Sequence, residues 1–262
     1  MPMKLDQVTF SYAGDRAVVA DVSASLTPGR VTGVLGPNAA GKTTLLRLML
    51  GLRRPNPGRV ELDGQSVGDL SPRLRARKIS YVPQRGTVSF AYTVRRVVAM
   101  GRYAHGETAG GGAAVEESLQ ALDLMPLAAR PFVELSGGQQ QRVLLARAVA
   151  QSAGGGVVML LDEPAAGLDL RHVHGALGVV RRLARERQLA VAIVMHDLSL
   201  TSRYADDVWL LDGGRLAEAG PCERVMRPEV LEPVYGVRLR KVAAGGEDEG
   251  AVFIAEPCTT AR

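Results

Sequence analysis

The sequence has few aromatic residues and few cysteines, and both shortages narrow the range of functions. Phe, Trp and Tyr together make up 4% of its 262 residues. Proteins that bind single-stranded nucleic acid stack bases on aromatic side chains, so this composition argues against such a surface. The two cysteines, Cys222 and Cys258, have neither metal-binding nor redox spacing. We therefore expect two reduced thiols in an intracellular protein.

Long apolar segments are also missing. The clearest apolar run, residues 189–195, is far shorter than the ~20 residues that a membrane-spanning helix needs. Residues 1–6 contain no apolar core, so no secretory signal is expected. These features predict a soluble chain that serves a membrane only as a peripheral subunit.

The charge balance is basic, with a formal net charge of +5 and a pI of about 9.5. Such a balance suits nucleic acid, an anionic membrane surface or phosphate-rich ligands. The arginines are scattered in short groups and form no block. This pattern indicates a solvated basic surface.

Hydrophobic patterning predicts an α/β chain with a helical insertion. Runs typical of strands lie at residues 4–10, 30–35, 59–62, 79–82, 157–161, 190–195 and 208–211. Helical spacing lies at residues 43–50, 93–100, 114–124, 136–150 and 171–187, with Thr93 as the expected cap of the second helix. Residues 243–250 are expected to form a mobile loop.

Residues 36–43, GPNAAGKT, fit the phosphate-loop pattern G-x-x-x-x-G-K-[ST] between a predicted strand and a predicted helix. Backbone N–H groups and the helix N-terminus hold phosphate in this arrangement. Lys42 is expected to contact the terminal phosphates, and the Thr43 hydroxyl is expected to bind Mg²⁺. The nucleotide-binding residues predicted here are Gly36, Pro37, Asn38, Ala39, Ala40, Gly41, Lys42, Thr43 and Thr44.

Residues 157–163, VVMLLDE, form an apolar run that ends in two acids. Carboxylates at the end of a buried strand are costly without a positive partner. Nucleotide-bound Mg²⁺ would supply that charge through Asp162, and Glu163 would then polarise the attacking water. Alone, an acidic pair is more typical of a turn after a strand, but the phosphate loop upstream favours the catalytic interpretation.

Residues 135–139, LSGGQ, resemble the signature of the ABC ATPase family. Ser136 is expected to cap the following helix, and Gly137 and Gly138 are expected to let the backbone approach an anion closely. The resemblance implies that this segment, including Gln139, closes on the γ-phosphate held by a second copy. ATP would then lie between two chains.

Further residues follow in the order of that family. Tyr12 resembles the aromatic residue that stacks on adenine, although a tyrosine at a strand edge is the alternative. Gln84 resembles the glutamine that contacts Mg²⁺ and the water, and Asp169 resembles the acid that communicates across the dimer. His196 resembles the histidine that contacts the γ-phosphate, although a lone histidine is more often structural. The implied catalytic residues are Glu163, His196 and Gln84, and the implied metal ligands are Thr43, Gln84 and Asp162.

Two positions depart from the common family form. Ala39 occupies a position where the family usually has glycine, and Gly167 occupies one where it usually has alanine. If position 39 requires a positive φ, alanine there costs on the order of 1 kcal/mol. We expect the loop to tolerate that cost.

The resemblance covers about residues 4–240 and implies a fold. This fold is an α/β P-loop NTPase (RecA-like) core with an N-terminal antiparallel β subdomain and an inserted α-helical subdomain. Residues 1–84 would hold the β subdomain and the first part of the ATP-binding core. Residues 85–150 would form the helical subdomain, residues 151–240 the second part of the core and residues 241–262 a tail, all within one ABC ATPase domain.

Residues 93–105, 195–198 and 233–237 are similar to segments in importers of iron–siderophore complexes, haem and cobalamin. The implied function is the ATP-hydrolysing subunit of such an importer, with ATP and Mg²⁺ as cofactors, at the cytoplasmic face of the cell membrane. The implied partners are a second copy, integral-membrane permease subunits and, indirectly, an extracytoplasmic substrate-binding protein, with no nucleic acid.

Other ABC functions are the alternatives. One is the ATPase subunit of another importer or of an exporter. The other is a soluble ABC ATPase acting on nucleic acid or ribosomes, but such proteins resemble two cassettes in one chain or a cassette with a long coiled coil. This chain has one phosphate loop and one signature. A non-hydrolysing binder is disfavoured because Glu163 and His196 are both present.

Overall fold

The structure is a computed structural model that describes residues 2–12, 16–84, 86, 90–106, 112–243 and 250–256. Its strands are β1 (Met3–Phe10), β2 (Val19–Leu26), β3 (Val31–Leu35), β4 (Arg59–Leu62), β5 (Gln65–Ser66), β6 (Ile79–Val82), β7 (Val158–Asp162), β8 (Ala190–Val194), β9 (Asp207–Asp212), β10 (Arg215–Pro221), β11 (Arg238–Ala243) and β12 (Ala251–Glu256). Its α-helices are α1 (Lys42–Met49), α2 (Pro72–Lys78), α3 (Val94–Ala99), α4 (Ala113–Ala121), α5 (Gly137–Ser152), α6 (Leu170–Arg187), α7 (Leu198–Tyr204), α8 (Cys222–Val225) and α9 (Pro228–Tyr235). Short 3₁₀ helices lie at Val67–Asp69, Met100–His105, Met125–Leu127 and Phe132–Glu134.

The central sheet has the strand order β10-β9-β3-β8-β7-β6. All of its neighbouring pairs are parallel except β10 with β9. Every residue of β3, β7 and β8 is buried, as expected for strands covered on both faces. Ligands of such sheets bind beyond the carboxyl ends of the strands. The segments that follow β3, β8 and β7 therefore share one edge of the sheet.

The N-terminal strands form a separate antiparallel sheet with the order β2-β1-β4-β5. Side chains from β1 and β4 share one hydrophobic cluster with α1 and with β7, β8 and β9 of the central sheet. Helix α1 is therefore anchored between two sheets, which fixes the loop that precedes it. The predicted antiparallel β subdomain is confirmed, and β2 is an element that the patterning did not predict.

The predicted helical insertion is present, and α5 packs against α3 and α4. Phe132 and Leu119 are among its fully buried side chains. Thr93 caps α3 as predicted, because its side chain accepts a hydrogen bond from the backbone of Arg96. Helix α3 ends at Ala99, one residue earlier than expected, and the chain continues as a 3₁₀ helix.

The tail contains a hairpin that the sequence did not predict. Strands β11 and β12 pair antiparallel, and the expected boundary between residues 240 and 241 falls inside β11. Most of the expected mobile loop, residues 244–249, lies outside the described residues, and so does Cys258. Cys222 is a free thiol, and burial raises its pKa to about 11. Among the helices in the described ranges, none has the length and apolar character needed to cross a membrane.

Candidate functional site

The phosphate loop lies between β3 and α1, and its first and last glycines allow no side chain. Gly36 has a φ of +145°, and a Cβ there would lie 2.2 Å from the carbonyl oxygen of Leu211. Gly41 has a φ of +93°, and a Cβ there would lie 2.5 Å from the carbonyl oxygen of Val18. The spacing of these glycines therefore reflects close contact with neighbouring backbone on both sides of the loop.

Ala39 adopts a φ of +63°. Position 39 therefore does require a positive φ, and an L-residue in this region costs roughly 1–2 kcal/mol. The surrounding loop holds Ala39 in this conformation despite the cost, as is common near functional sites.

Lys42 lies at the start of α1 and is 7% exposed. Its Nζ donates hydrogen bonds to the carbonyl oxygens of Gly36 at 2.7 Å and Pro37 at 2.8 Å. Burial lowers the pKa of Lys42, while the carboxylates of Glu163 and Asp162 oppose that shift. The loop carbonyl oxygens therefore hold the desolvated ammonium group of Lys42 against the phosphate loop.

Thr43 and Asp162 bring together two of the three predicted metal ligands. The Thr43 hydroxyl donates to Asp162 Oδ1 at 3.2 Å, and Asp162 is 1% exposed. Burial raises the pKa of Asp162, and the hydrogen bond from Thr43 opposes the shift. A hydroxyl and a carboxylate are the oxygen donors that Mg²⁺ prefers, and a cation would offset the cost of burying the carboxylate. The donor set fits this metal.

Glu163 follows β7 and faces His196, which follows β8. His196 Nε2 and Glu163 Oε1 are 2.7 Å apart. Burial alone would raise the pKa of Glu163, but hydrogen bonds from His196 and Gln84 outweigh burial and hold that pKa below its ordinary value. Glu163 also adopts a φ of +51°, a strained conformation of the kind found at active sites.

Gln84 lies after β6 and forms a side-chain hydrogen bond with Glu163. Among the described residues, no hydrogen bond joins Gln84 to Thr43 or Asp162. The three predicted catalytic residues are thus together in the structure: Glu163, His196 and Gln84. Of the predicted metal ligands, Thr43 and Asp162 are hydrogen-bonded to each other, whereas Gln84 contacts Glu163, the residue after Asp162.

The phosphate loop lines a cavity of about 590 Å³. This volume is within the range of small-molecule sites. Its other lining residues include Glu163 and His196 from the two neighbouring strand ends, and Arg16 and Gly213. The cavity therefore has a cationic side at Lys42 and an acidic side at Glu163. Predicted residues that line it are Asn38, Ala39, Ala40, Gly41, Lys42, Thr43, Thr44, Glu163 and His196.

Tyr12 lies beside this loop and is 49% exposed. Its hydroxyl lies 3.3 Å from Thr44 Oγ1 and accepts a hydrogen bond from Arg47 at 3.1 Å. The Phe10 ring packs edge-on against the Tyr12 ring, with 5.0 Å between the ring centroids. The Arg53 guanidinium lies 5.8 Å from the centroid of the Tyr12 ring. The ring is thus held next to the start of α1 and exposed to solvent, and Arg47 is a partner that the sequence did not identify.

The signature residues lie in a different cavity of about 710 Å³. Ser136 caps α5 with a capping box: its Oγ accepts from the Gln139 backbone, and its own N–H donates to Gln139 Oε1. A Cβ on Gly138 would lie 2.8 Å from the carbonyl oxygen of Gly167. Gly137, in contrast, has open space around it. The segment therefore presents a capped helix N-terminus to a cavity whose lining shares no residue with that of the phosphate loop.

Asp169 lines the signature cavity too and caps α6. It accepts hydrogen bonds from the backbone N–H of His172 at 2.9 Å and from its ring at 2.7 Å. The backbone hydrogen bond is the main cause that lowers the pKa of Asp169. His172 is not among the site residues predicted from the sequence. Its signal was an Asp followed three residues later by a side chain able to donate back, at the start of a predicted helix.

Comparisons with known proteins agree with this architecture. A family model described as ABC transporter matches residues 19–166. The hemin import ATP-binding protein HmuV of Pseudomonas putida is 42% identical over 227 residues, which cover 86% of this chain and 89% of that protein. The cobalamin import ATP-binding protein BtuD of Halobacterium salinarum is 42% identical over 242 residues, which cover 91% of this chain. This chain spans only 60% of the length of the cobalamin relative.

Solved structures of ABC transporter proteins have the same fold as this chain. A metal-chelate type ABC transporter in an inward-facing conformation matches with a TM-score of 0.80 at 29% identity, covering 98% of both chains. A dimeric ATP-binding cassette in a post-hydrolysis state, bound to ADP and phosphate, matches with a TM-score of 0.75 at 25% identity, covering 84% of this chain and 98% of that one. The predicted α/β P-loop NTPase core is confirmed. By sequence and by fold, the chain belongs to the ABC transporter family and contains the ATP-binding cassette of that family.

Proposed function

We propose that this chain is the ATP-hydrolysing, energy-coupling subunit of an importer for ferric siderophore, haem or cobalamin. The single observation that carries the hydrolytic role is the Glu163 carboxylate, held 2.7 Å from His196 in the same cavity as Lys42. The import role is supported by the hemin and cobalamin import proteins and by the metal-chelate transporter that this chain resembles.

The phosphate loop and Lys42 bind the β- and γ-phosphates. Lys42 is buried and donates to loop carbonyls only 2.7 and 2.8 Å away, so its charge is already placed where phosphate oxygens would arrive. Bound Mg²⁺ would supply positive charge that stabilises the negative charge developing on the phosphates. Thr43 and Asp162 would hold that ion. Gln84 uses its amide N–H groups toward Glu163, which leaves its amide oxygen for the metal or the water.

Glu163, His196 and Gln84 organise the attacking water. Because its pKa is lowered by hydrogen bonds, Glu163 is ionised at neutral pH and accepts a hydrogen bond from water. The water oxygen bonds to the γ-phosphorus while the bond to the bridging oxygen of ADP breaks, and the proton passes through Glu163 to the phosphate product. In the nucleotide-free chain His196 orients the Glu163 carboxylate through Nε2, and the same N–H would donate to the γ-phosphate once ATP is bound.

A second copy completes the site. The signature segment and the phosphate loop line separate cavities of one chain, so each needs a partner to close on the same nucleotide. Ser136, Gly137, Gly138 and Gln139 would present the N-terminus of α5 to the γ-phosphate, since helix N-termini attract anions. Asp169 lies in this cavity and would carry the contact across the dimer. The dimeric cassette with ADP and phosphate supports this arrangement.

Tyr12 would bind adenine by stacking, because its exposed ring lies beside Thr44 at the start of α1. Stacking on a tyrosine ring buries the base while leaving its polar edge hydrated.

The proposed transport role implies two further partners, a membrane permease and a substrate-binding protein. The helical subdomain of α3, α4 and α5 would dock integral-membrane permease subunits at the cytoplasmic face of the cell membrane. The chain would act there as a peripheral subunit, and an extracytoplasmic substrate-binding protein would deliver the cargo. ATP binding and hydrolysis would shift the permease between states through the differing affinity of each state for ATP.

The test is ATP hydrolysis by the purified chain against Glu163→Gln, with sizing in MgATP. We expect the substitution to reduce the turnover by a factor of 100 or more, as for loss of a general base (roughly 10²–10⁴), and ATP-bound dimers to accumulate. The matched control is Glu186→Gln on α6, because the Glu186 side chain is 59% exposed. Equal turnover in the wild type and Glu163→Gln would refute the role of Glu163.

A further inference from the structure

The C-terminal part of the chain reaches back to the phosphate loop through one side chain. The Gly36 N–H donates a hydrogen bond to the Tyr235 hydroxyl at 3.1 Å, across 199 residues of sequence. Tyr235 is the last residue of α9.

We propose that Tyr235 is a positioning residue that fixes the first peptide of the phosphate loop, and that the chain's affinity for nucleotide depends on it. The inference rests on the proposed function, because it concerns how the same loop binds phosphate.

Gly36 is held from both sides. Its N–H donates to Tyr235 at 3.1 Å, and its carbonyl oxygen accepts from Lys42 Nζ at 2.7 Å. A single residue, Gly36, therefore links the tyrosine hydroxyl to the lysine that meets the phosphates. Since Gly36 has no side chain, and a Cβ would lie 2.2 Å from the Leu211 carbonyl oxygen, these backbone hydrogen bonds are its means of orientation.

Tyr235 is itself held firmly. Its ring packs against the main hydrophobic cluster, in which Leu231 of the same helix is fully buried. Glu232 Oε1 accepts a hydrogen bond at 2.7 Å from the Leu239 backbone N–H, which ties α9 to β11. Burial raises the pKa of Tyr235, with the Gly36 hydrogen bond opposing, so the phenol stays neutral and accepts a hydrogen bond at physiological pH.

The same C-terminal unit, α9 with β11 and β12, also contacts the helix beyond His196. The backbone N–H of Phe253 donates to Ser199 Oγ at 3.1 Å, and that of Ala251 donates to Ser202 Oγ at 2.9 Å. Both serines lie on α7, which begins two residues after His196. The unit therefore bridges two segments that line the phosphate cavity, one after β3 and one after β8.

Removing the hydroxyl would leave the Gly36 N–H without this partner and let the first peptide of the loop rotate. The affinity for nucleotide should fall by about fivefold, the effect of one hydrogen bond. The turnover at saturating ATP should change by less than twofold, because Glu163, His196 and Gln84 are untouched. A merely structural role of Tyr235 would instead lower the stability without changing the KM.

The experiment uses the full chain with Tyr235→Phe, and Tyr103→Phe as the matched control, because Tyr103 is 86% exposed. Measurements are the Kd for a fluorescent ATP analogue with Mg²⁺, the KM and kcat for ATP, and the urea unfolding midpoint. We expect the Kd and the KM to rise about fivefold in Tyr235→Phe alone, with kcat kept.

Two results would overturn the inference. One is a Kd and a KM equal to those of the wild type in Tyr235→Phe. The other is a lower unfolding midpoint and a lower kcat with the KM unchanged. A wild-type chain that neither binds the analogue nor hydrolyses ATP would instead refute the proposed function, which makes the two failures distinguishable.

Discussion

The Ala39→Gly substitution in the phosphate loop should raise the free energy of unfolding by up to about 1.6 kcal/mol. Ala39 has a φ of +63°, where an L-residue pays roughly 1–2 kcal/mol that glycine does not. Glycine also gives the unfolded chain more freedom, which lowers the stability by about 0.4–1 kcal/mol. The relieved strain exceeds the cost of the added freedom in the unfolded chain, so the net change should be a small gain in the free energy of unfolding.

The matched control is Ala40→Gly at the next position. Ala40 is 3% exposed and does not adopt a positive φ. Glycine there relieves no strain, so the substitution should cost about 0.5–1 kcal/mol or more. Urea unfolding of the nucleotide-free chain measures both values. A loss of stability in Ala39→Gly as large as that in Ala40→Gly would refute the argument that position 39 is strained.

Two further substitutions test the electrostatics and the helix cap. Burial raises the pKa of Asp162 above its ordinary value of 3.8. Protonated Asp162 therefore stabilises the folded state at low pH. This stabilisation is lost as the pH rises through the raised pKa. The free energy of unfolding of the nucleotide-free wild type should therefore fall relative to that of Asp162→Asn over this pH range, and parallel urea-derived pH profiles would contradict the assignment. Ser136→Ala should cost about 1 kcal/mol by loss of the α5 cap and also reduce ATP hydrolysis. Ser71→Ala, which removes the cap of α2, should destabilise similarly with normal turnover, and equal turnover in both variants would count against the phosphate contact of Ser136.

The elements that the sequence predicted well are those whose local signals agree with their tertiary environment. The runs at residues 157–161 and 190–195 correspond to β7 and β8, which are buried at every residue. Short continuous apolar runs of this kind are typical of strands covered on both faces. Thr93 and Ser136 were identified as caps because a side-chain oxygen at this position satisfies N–H groups of the first helical turn.

The missed elements lack such signals. Strand β2 reads VADVSASL, with residues of low strand propensity, and its place in the sheet comes from pairing with β1. In β11 only Leu239 is buried, so no alternating pattern marks the strand. Its partner β12 and the side chains of α9 supply the contacts that define it.

At the candidate site, too, local sequence motifs predicted some residues, whereas contacts between segments far apart in sequence were not predicted. Motif spacing identified Lys42, Asp162 and Glu163, because each ends or follows a strand of the central sheet or begins the helix after one. Motif spacing does not reveal the contacts made by segments far away in sequence, such as the hydrogen bond between the Tyr235 hydroxyl and the Gly36 N–H. These contacts decide how rigidly the charged groups are held. In a site that stabilises charge mainly by preorganisation, residues outside the motifs should therefore affect nucleotide affinity while leaving the chemistry of hydrolysis to the motif residues.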